Sequence, residues 1–163
     1  KPYGDFKVVP NGTYLLLSDD TSDNTSHNTS VYHAYSRPCD VPKQMLQLVE
    51  YIESSEPESI DQAITMYAKA HLSFGQIHPF WDGNGRIARL IANLILLRAG
   101  FAPLVIPAAR RLDYINILSK YSAKNKAPSI GEPLYHEGKE LNAFIYFCKA
   151  CYQETLNIIQ SIE

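Results

Sequence analysis

The chain has 163 residues, 45% of them apolar, and a formal net charge of −2; this supports one domain around one core and excludes the polycationic surface that nonspecific adhesion to nucleic acid or an anionic membrane requires. No run reaches the about 18 apolar residues of a spanning helix, and the polar, proline-containing start is unlike a secretory signal, so neither nucleic acid nor membrane is an expected partner. Cys39, Cys148 and Cys151 are too few and too unevenly placed for a disulfide framework, which points to a reducing compartment and gives the cytoplasm as the expected location.

The chain begins at Lys1 rather than at methionine, with no helix or strand start, and is expected to be a piece of a longer protein. Residues 6–17 are rich in β-branched and aromatic side chains interrupted by Pro10-Asn11-Gly12, a turn signal that predicts a hairpin. Residues 18–30 form a Ser/Thr/Asn/Asp-rich stretch too poor in apolar groups to pack, predicting a mobile tip, and residues 31–35 predict a returning strand. Of three N-x-[ST] sequons (Asn11, Asn24, Asn28), two lie in or at that stretch, where chance matches are common; without a leader, glycosylation is the minor reading.

Asp40 is cap-like and Pro42 suits a first turn, so Val41, Met45, Leu48, Val49 and Ile52 at helical spacing predict a helix over about 42–53. A second helix is predicted from Ser59 to near Phe74-Gly75, with Ile60, Ala63, Ile64, Tyr67, Ala68 and Leu72 on one face. Residues 85–99 are so apolar that the expected helix is buried on nearly all sides, stopping at Gly100. Further helices are predicted over 107–121 and 139–162, the latter carrying Cys148-x-x-Cys151 as packing groups rather than as a redox or zinc site. The expected fold class is mainly α, a helical bundle (about 40–162) with a small β-hairpin upstream (about 6–36), in a single domain.

One segment breaks the packing logic: His78-Pro79-Phe80-Trp81-Asp82-Gly83-Asn84-Gly85-Arg86-Ile87-Ala88-Arg89 feeds a charged loop into the most apolar helix of the chain. Gly83 and Gly85 allow backbone geometries that aim N–H groups into one concavity, backed by the positive end of a helix. Arg86, Arg89 and Asn93 follow at spacings of three and four and share a face, two guanidiniums that need a counterion such as a polyphosphate. Asp82 beside such a ligand calls for a bridging cation, and Mg²⁺ fits one carboxylate plus phosphate oxygens. His78 precedes proline, predicting an extended backbone that projects its imidazole as a general base. These parts describe phosphoryl-group chemistry on an incoming hydroxyl and leave open which phosphorus is attacked.

The stretch resembles the motif of the Fic family, H-P-F-x-[DE]-G-N-G-R-x-x-R, with every defined position satisfied. The upstream hairpin, a V-P-K-Q-M helix, the motif helix and an A-G-F-A-P stretch also resemble that family in order, over nearly all of residues 4–160. The resemblance implies a Fic-type bundle and a protein adenylyltransferase: a Ser, Thr or Tyr hydroxyl of a target protein attacks the α-phosphorus of ATP and pyrophosphate leaves. It implies a catalytic set of His78 as base, Asn84 positioning the α-phosphate and Arg86 on the outer phosphates. Gly83, Asn84 and Gly85 would cradle phosphates, Arg86 and Arg89 would pair with the β- and γ-phosphates, Asp82 would hold Mg²⁺, and Phe80 would anchor the nucleotide site in the core. Tyr114 is the expected nucleobase neighbour; Trp81 has no assigned role. The hairpin would be the family's flap, docking the target by strand addition.

Related transfers of phosphate or phosphocholine, and a nucleotide-binding module without turnover, are the alternatives; the intact G-N-G-R and His78 disfavour them. Many family members carry an inhibitory [ST]-x-x-x-E-[GN] helix. Here residues 54–59 come nearest, with Glu58 in place but Ser59 at the last position, so an inhibitory segment elsewhere in the full protein or an antitoxin-like partner is expected. His71 reads as a satisfied core histidine, His27, His33 and His136 carry no expected role, and Arg110-Arg111 with Lys120 read as a solvated face.

Overall fold

The computed structural model describes residues 4–18 and 28–161; residues 19–27, which hold most of the expected polar tip, lie outside them. Two strands, β1 (Gly12–Ser18) and β2 (Asn28–Ala34), pair antiparallel from Gly12↔Ala34 to Ser18↔Asn28. Leu15 and His33 turn inward, while Tyr14 and Tyr32 pair outward across the ladder with ring centroids 5.2 Å apart. The expected turn at Pro10-Asn11-Gly12 does not form. Gly12 opens β1 instead, and its missing side chain serves close approach: a Cβ there would overlap the Tyr32 ring and lie 2.5 Å from the His33 carbonyl.

Among the described residues five helices follow: α1 (Val41–Glu53), α2 (Ile60–Ile77), α3 (Asn84–Arg98), α4 (Arg111–Lys124) after a 3₁₀ turn at Ala108–Arg110, and α5 (Lys139–Gln160). Asp40 precedes α1 but makes no side-chain cap; Arg37 takes its carboxylate at 2.9 Å and holds its pKa below the usual range. Ser59 does cap α2, accepting from the Gln62 N–H at 3.3 Å, while Gln62 Oε1 accepts from the Glu58 N–H at 2.8 Å, close to a capping box. Residues 54–59 are therefore the α1–α2 connection and lead into α2, not an inhibitory helix.

Helix α2 is the axis of the bundle and packs against α1, α3 and α5. It runs through Gly75 to Ile77, two residues past the expected stop, because Phe74, Gln76 and Ile77 are all buried; their burial outweighs the about 1 kcal/mol that a mid-helix glycine costs. Helix α3 corrects the expectation of all-round burial. Its core face is a stripe of Ala88, Ala92, Ile95 and Leu96, while Leu90, Leu94 and Leu97 are exposed, Leu90 by 69%. The small residues on the inward face let α3 lie close along α2. Gly100, at φ +80°, ends α3 as expected: its N–H and that of Phe101 return to Leu97 and Leu96 as in a Schellman motif. The free thiols Cys148 and Cys151 are buried on α5 and serve packing.

Candidate active site

The C-terminus of α2 and the N-terminus of α3 meet across residues 78–83, and a cleft of about 520 Å³ opens there. His78, Trp81, Asp82, Gly83, Asn84 and Gly85 line one side, with Arg86 and Arg89. Residues 106–108, Arg111, Tyr114 and Ile115 line the other. The motif residues that form a linear run are thus brought together with a wall supplied by α4.

The loop is built from its own side chains. Asn84 is only 4% exposed, and its amide closes the turn in both directions: Oδ1 accepts from the Phe80 N–H at 3.0 Å and Nδ2 donates to the Phe80 carbonyl at 2.8 Å. Much of the amide expected to meet a phosphate is therefore committed to the loop, leaving its second Nδ2 hydrogen and its backbone N–H for a ligand. Phe80 is half-buried against the core, its ring 6.2 Å from Phe74 and 5.7 Å from Phe6. Gly83 has φ +82° and caps α3 without a side chain, so no side chain occupies the amides of the first helical turn. Gly85 differs from expectation: it is an ordinary helical residue. Its missing side chain leaves open space at the cleft, where a Cβ would meet no atom closer than Arg89 Nη1 at 3.8 Å. Gly83 is needed for conformation and Gly85 for room.

His78 also departs from expectation. It is left-handed, not extended, at φ 49° and ψ 58°, and is the one non-glycine with positive φ among the described residues. That conformation costs about 1–2 kcal/mol for an L residue and is imposed by burial of the α2 end at Ile77, where the chain must turn sharply into Pro79. Burial pushes its imidazole down to about 4, a contact with the Gly75 backbone pulls the other way, and the charge of Lys7 and His33 adds to the lowering. The ring is therefore neutral at physiological pH and able to accept a proton.

Asp82 and Arg86 sit at the rim, their side chains 91% and 71% exposed, joined by a 3.3 Å contact of the kind that contributes little and yields readily to a ligand. Arg89 lies deeper. Its Nη1 donates to the Tyr114 hydroxyl at 3.3 Å, and the same hydroxyl is 3.0 Å from Nε2 of buried His71. A guanidinium can only donate, so Tyr114 accepts from Arg89; the direction of its bond to His71, which burial holds neutral with a pKa near 3, is set by the histidine tautomer. His71 is a core histidine as expected, but it is only half satisfied: Nε2 meets Tyr114 while the buried Nδ1 has no hydrogen-bond partner among the described residues. Tyr114 does line the cleft, but as a nearly buried floor whose hydroxyl orients Arg89.

Asn93 leaves the phosphate face. It pairs with the backbone of Leu104 through both amide atoms, at 2.7 and 3.0 Å, and so folds residues 101–106 back over α3. Arg110 pairs with Glu154 of α5 at 2.6 Å. These two contacts set α4 as the far wall and place Arg111, an exposed residue of a solvated face, at the cleft edge. Arg111 and Trp81 line the cleft, and Tyr35 at the hairpin base stacks on His78, placements that the motif does not indicate. A cation in the first turn of α4, against the helix dipole, is the signal that marked Arg111.

A protein adenylyltransferase Fic of Nematostella vectensis is 40% identical over 98 residues, covering 60% of this chain and 23% of that protein. The protein of the same name from Drosophila grimshawi is 32% identical over 133 residues, 80% of this chain and 24% of its own. Among solved structures, a Fic domain containing signaling protein from Bacteroides thetaiotaomicron superposes with a TM-score of 0.72 at 27% identity, over 94% of this chain and 53% of that one. Fic-1 from C. elegans superposes at 0.59 with 28% identity, over 78% and 34%. The chain spans about a quarter of the length of these curated relatives. Residues 5–96, from the segment before β1 to the buried stripe of α3, match the model of the Fic/DOC family; this is more than half of the chain, and the chain belongs to that family.

Proposed function

We propose that the protein is an adenylyltransferase that moves AMP from Mg-ATP to a hydroxyl of a target protein. The observation that carries this reading is the junction of a neutral, strained His78 with an α3 N-terminus that has no side-chain cap and the guanidiniums of Arg86, Arg89 and Arg111 in one cleft. The names of the relatives point the same way.

His78 takes the proton of the incoming Ser, Thr or Tyr hydroxyl, a contribution of about 10² to 10⁴ in rate. The amides of residues 84–86 bind phosphate oxygens at the helix N-terminus, in the space that Gly85 leaves open. Arg86 and Arg89 neutralise the outer phosphates, with Arg89 held in place by Tyr114 and His71. Asp82 fits Mg²⁺ as a single exposed carboxylate at the cleft edge; no cage of three or more acidic, His or Cys ligands exists among the described residues, so phosphate oxygens and water complete the shell. When bound, Mg²⁺ neutralises charge that builds up on the leaving pyrophosphate. The hairpin, whose strands present outer edges, docks the target by strand addition. No helix among the described residues is long and apolar enough to cross a membrane, and a reducing, cytoplasmic setting fits the free thiols. Inhibition by a segment of the full protein or by an antitoxin-like partner fits the lack of any residue from 54–59 in the cleft.

ATP labelled on the α-phosphate, incubated with the protein, Mg²⁺ and a cell lysate, is expected to label protein, and His78→Ala to abolish it. Transfer of a γ-label instead would make the enzyme a phosphotransferase and overturn the reading.

A further inference from the structure

Three backbone carbonyls surround the strained His78, and all three are held by residues far away in sequence at the base of the hairpin. The Ser36 N–H donates to the Gln76 carbonyl at 3.1 Å, Lys7 Nζ to the Ile77 carbonyl at 3.0 Å, and the Lys7 N–H to the Pro79 carbonyl at 2.8 Å. The Tyr35 ring then lies flat on the His78 imidazole, centroids 3.7 Å apart and planes 4° from parallel. Lys7 ties these parts together. It is 2% exposed, its ammonium also donates to Asn11 Oδ1 at 2.6 Å, and it lies 5.8 Å from the centre of the Tyr35 ring.

We propose that Lys7 and Tyr35 are positioning residues for the transfer reaction, a clamp that holds the His78 backbone left-handed and its ring in one orientation toward the cleft. The proposal rests on the reading of His78 as the base. A lysine almost never goes into a protein interior without a specific use, and a buried ammonium needs acceptors. Here the acceptors include the residue that precedes the strained one, so the interaction is spent on the turn. Burial pushes the Lys7 ammonium down to about 8, which leaves it mainly charged at neutral pH. A left-handed non-glycine persists only where its surroundings over-determine it, and such positions gather at working sites. Lys7 and Ser36 line no part of the cleft and act through His78; Tyr35, also outside it, lines an adjoining cavity with His78, Asn84 and Gly85, where its ring stacks on the imidazole. Because Tyr35 directly follows β2, the strand pair proposed to dock a target and the clamp on the base are one continuous piece of chain.

The test uses Lys7→Met, which keeps the backbone bond to Pro79 and removes the ammonium, and Tyr35→Leu, which removes the stacked ring. In the wild type and both variants, kcat and KM for ATP are read by α-label transfer, and the His78 ring resonances by NMR. The expected result is a fall in kcat of about tenfold to a hundredfold, as for small misplacements of a catalytic group. KM for ATP stays within about twofold, and the His78 ring resonances shift or multiply. Tyr35→Phe, which keeps the ring, is expected to retain more kcat than Tyr35→Leu. Unchanged His78 resonances in a folded variant, or a rise in KM with kcat intact, would overturn the clamp. If the wild type transfers no α-label, the adenylyl reading fails by itself, and the His78 resonances of the variants still decide the clamp. Should Lys7→Met not fold, Tyr35→Leu carries the same two outcomes.

Discussion

Replacing Asn84 by alanine separates a scaffold role from a ligand role. The substitution deletes two hydrogen bonds to Phe80, at 2.8 and 3.0 Å, and strands the N–H and carbonyl of a half-buried residue. At about 1 kcal/mol net for each bond, plus part of the desolvation cost of two unpaired groups, the loss is about 2–4 kcal/mol. For a chain of this size that corresponds to a fall in Tm of about 5–12 °C. Thermal unfolding of the free protein measures it, with ATP affinity by calorimetry at a temperature where the variant is folded. Asn84→Asp keeps the acceptor for Phe80 but sets a carboxylate against the Phe80 carbonyl, and is expected to be at least as unstable. A Tm equal to that of the wild type together with weakened ATP binding would refute the reasoning, since the amide would then be contacting ligand rather than closing the loop.

The two motif glycines are expected to part company. Gly83→Ala forces an L residue to φ +82° and should cost about 1–2 kcal/mol of stability, whereas Gly85→Ala should stabilise the helix by up to about 1 kcal/mol yet weaken ATP binding by filling the cradle; denaturant unfolding and calorimetry on both variants check this. Arg89→Ala removes a charge-assisted contact of about 1.5–3 kcal/mol and should weaken ATP binding about tenfold to a hundredfold; Arg111→Ala should weaken it as well if α4 forms the far wall. In the folded state His71 has a pKa near 3 against about 6.5 when unfolded, so its contribution is fully present above pH 6.5 and is lost as pH falls toward 3. The slope is about 1.4 kcal/mol per pH unit. His78 and His33, also lowered by burial, add slope of the same sign, so urea unfolding between pH 6.5 and 5 should show a steeper fall in the wild type than in His71→Gln. The lowered pKa of His78, about 4, predicts that transfer persists well below the pH 6.5 of an ordinary histidine, measured as kcat over a range in which the protein stays folded.

The helices were legible because each carries its own period and its own punctuation. Ser59 starts α2 and Gly100 stops α3 through local chemistry that needs no tertiary partner. The hairpin turn was misplaced because Asn11-Gly12 has two uses for a glycine, a turn or a close cross-strand approach. Only the position of Tyr32 across the sheet chooses between them. The side burial of α3 was overstated because leucine on an open face and leucine in a core look alike in sequence; the bundle leaves Leu90, Leu94 and Leu97 without a covering helix among the described residues.

Residues 78–89 by themselves determined the class of chemistry, since an imidazole, a carboxylate, glycines and two arginines at those spacings assemble within a single loop and helix turn. Tertiary structure alone decided how the parts are held. Burial of the α2 end turns His78 left-handed, Lys7 and Ser36 hold its neighbours and Tyr35 stacks on its ring, from about 40 to 70 residues away. Arg89 is aimed by Tyr114 and His71, and Arg111 reaches the cleft because Asn93 and Glu154 fold α4 over it. Local spacing encodes which groups a site contains; their orientation comes from contacts between segments that no period or motif relates, and those form only when the core closes.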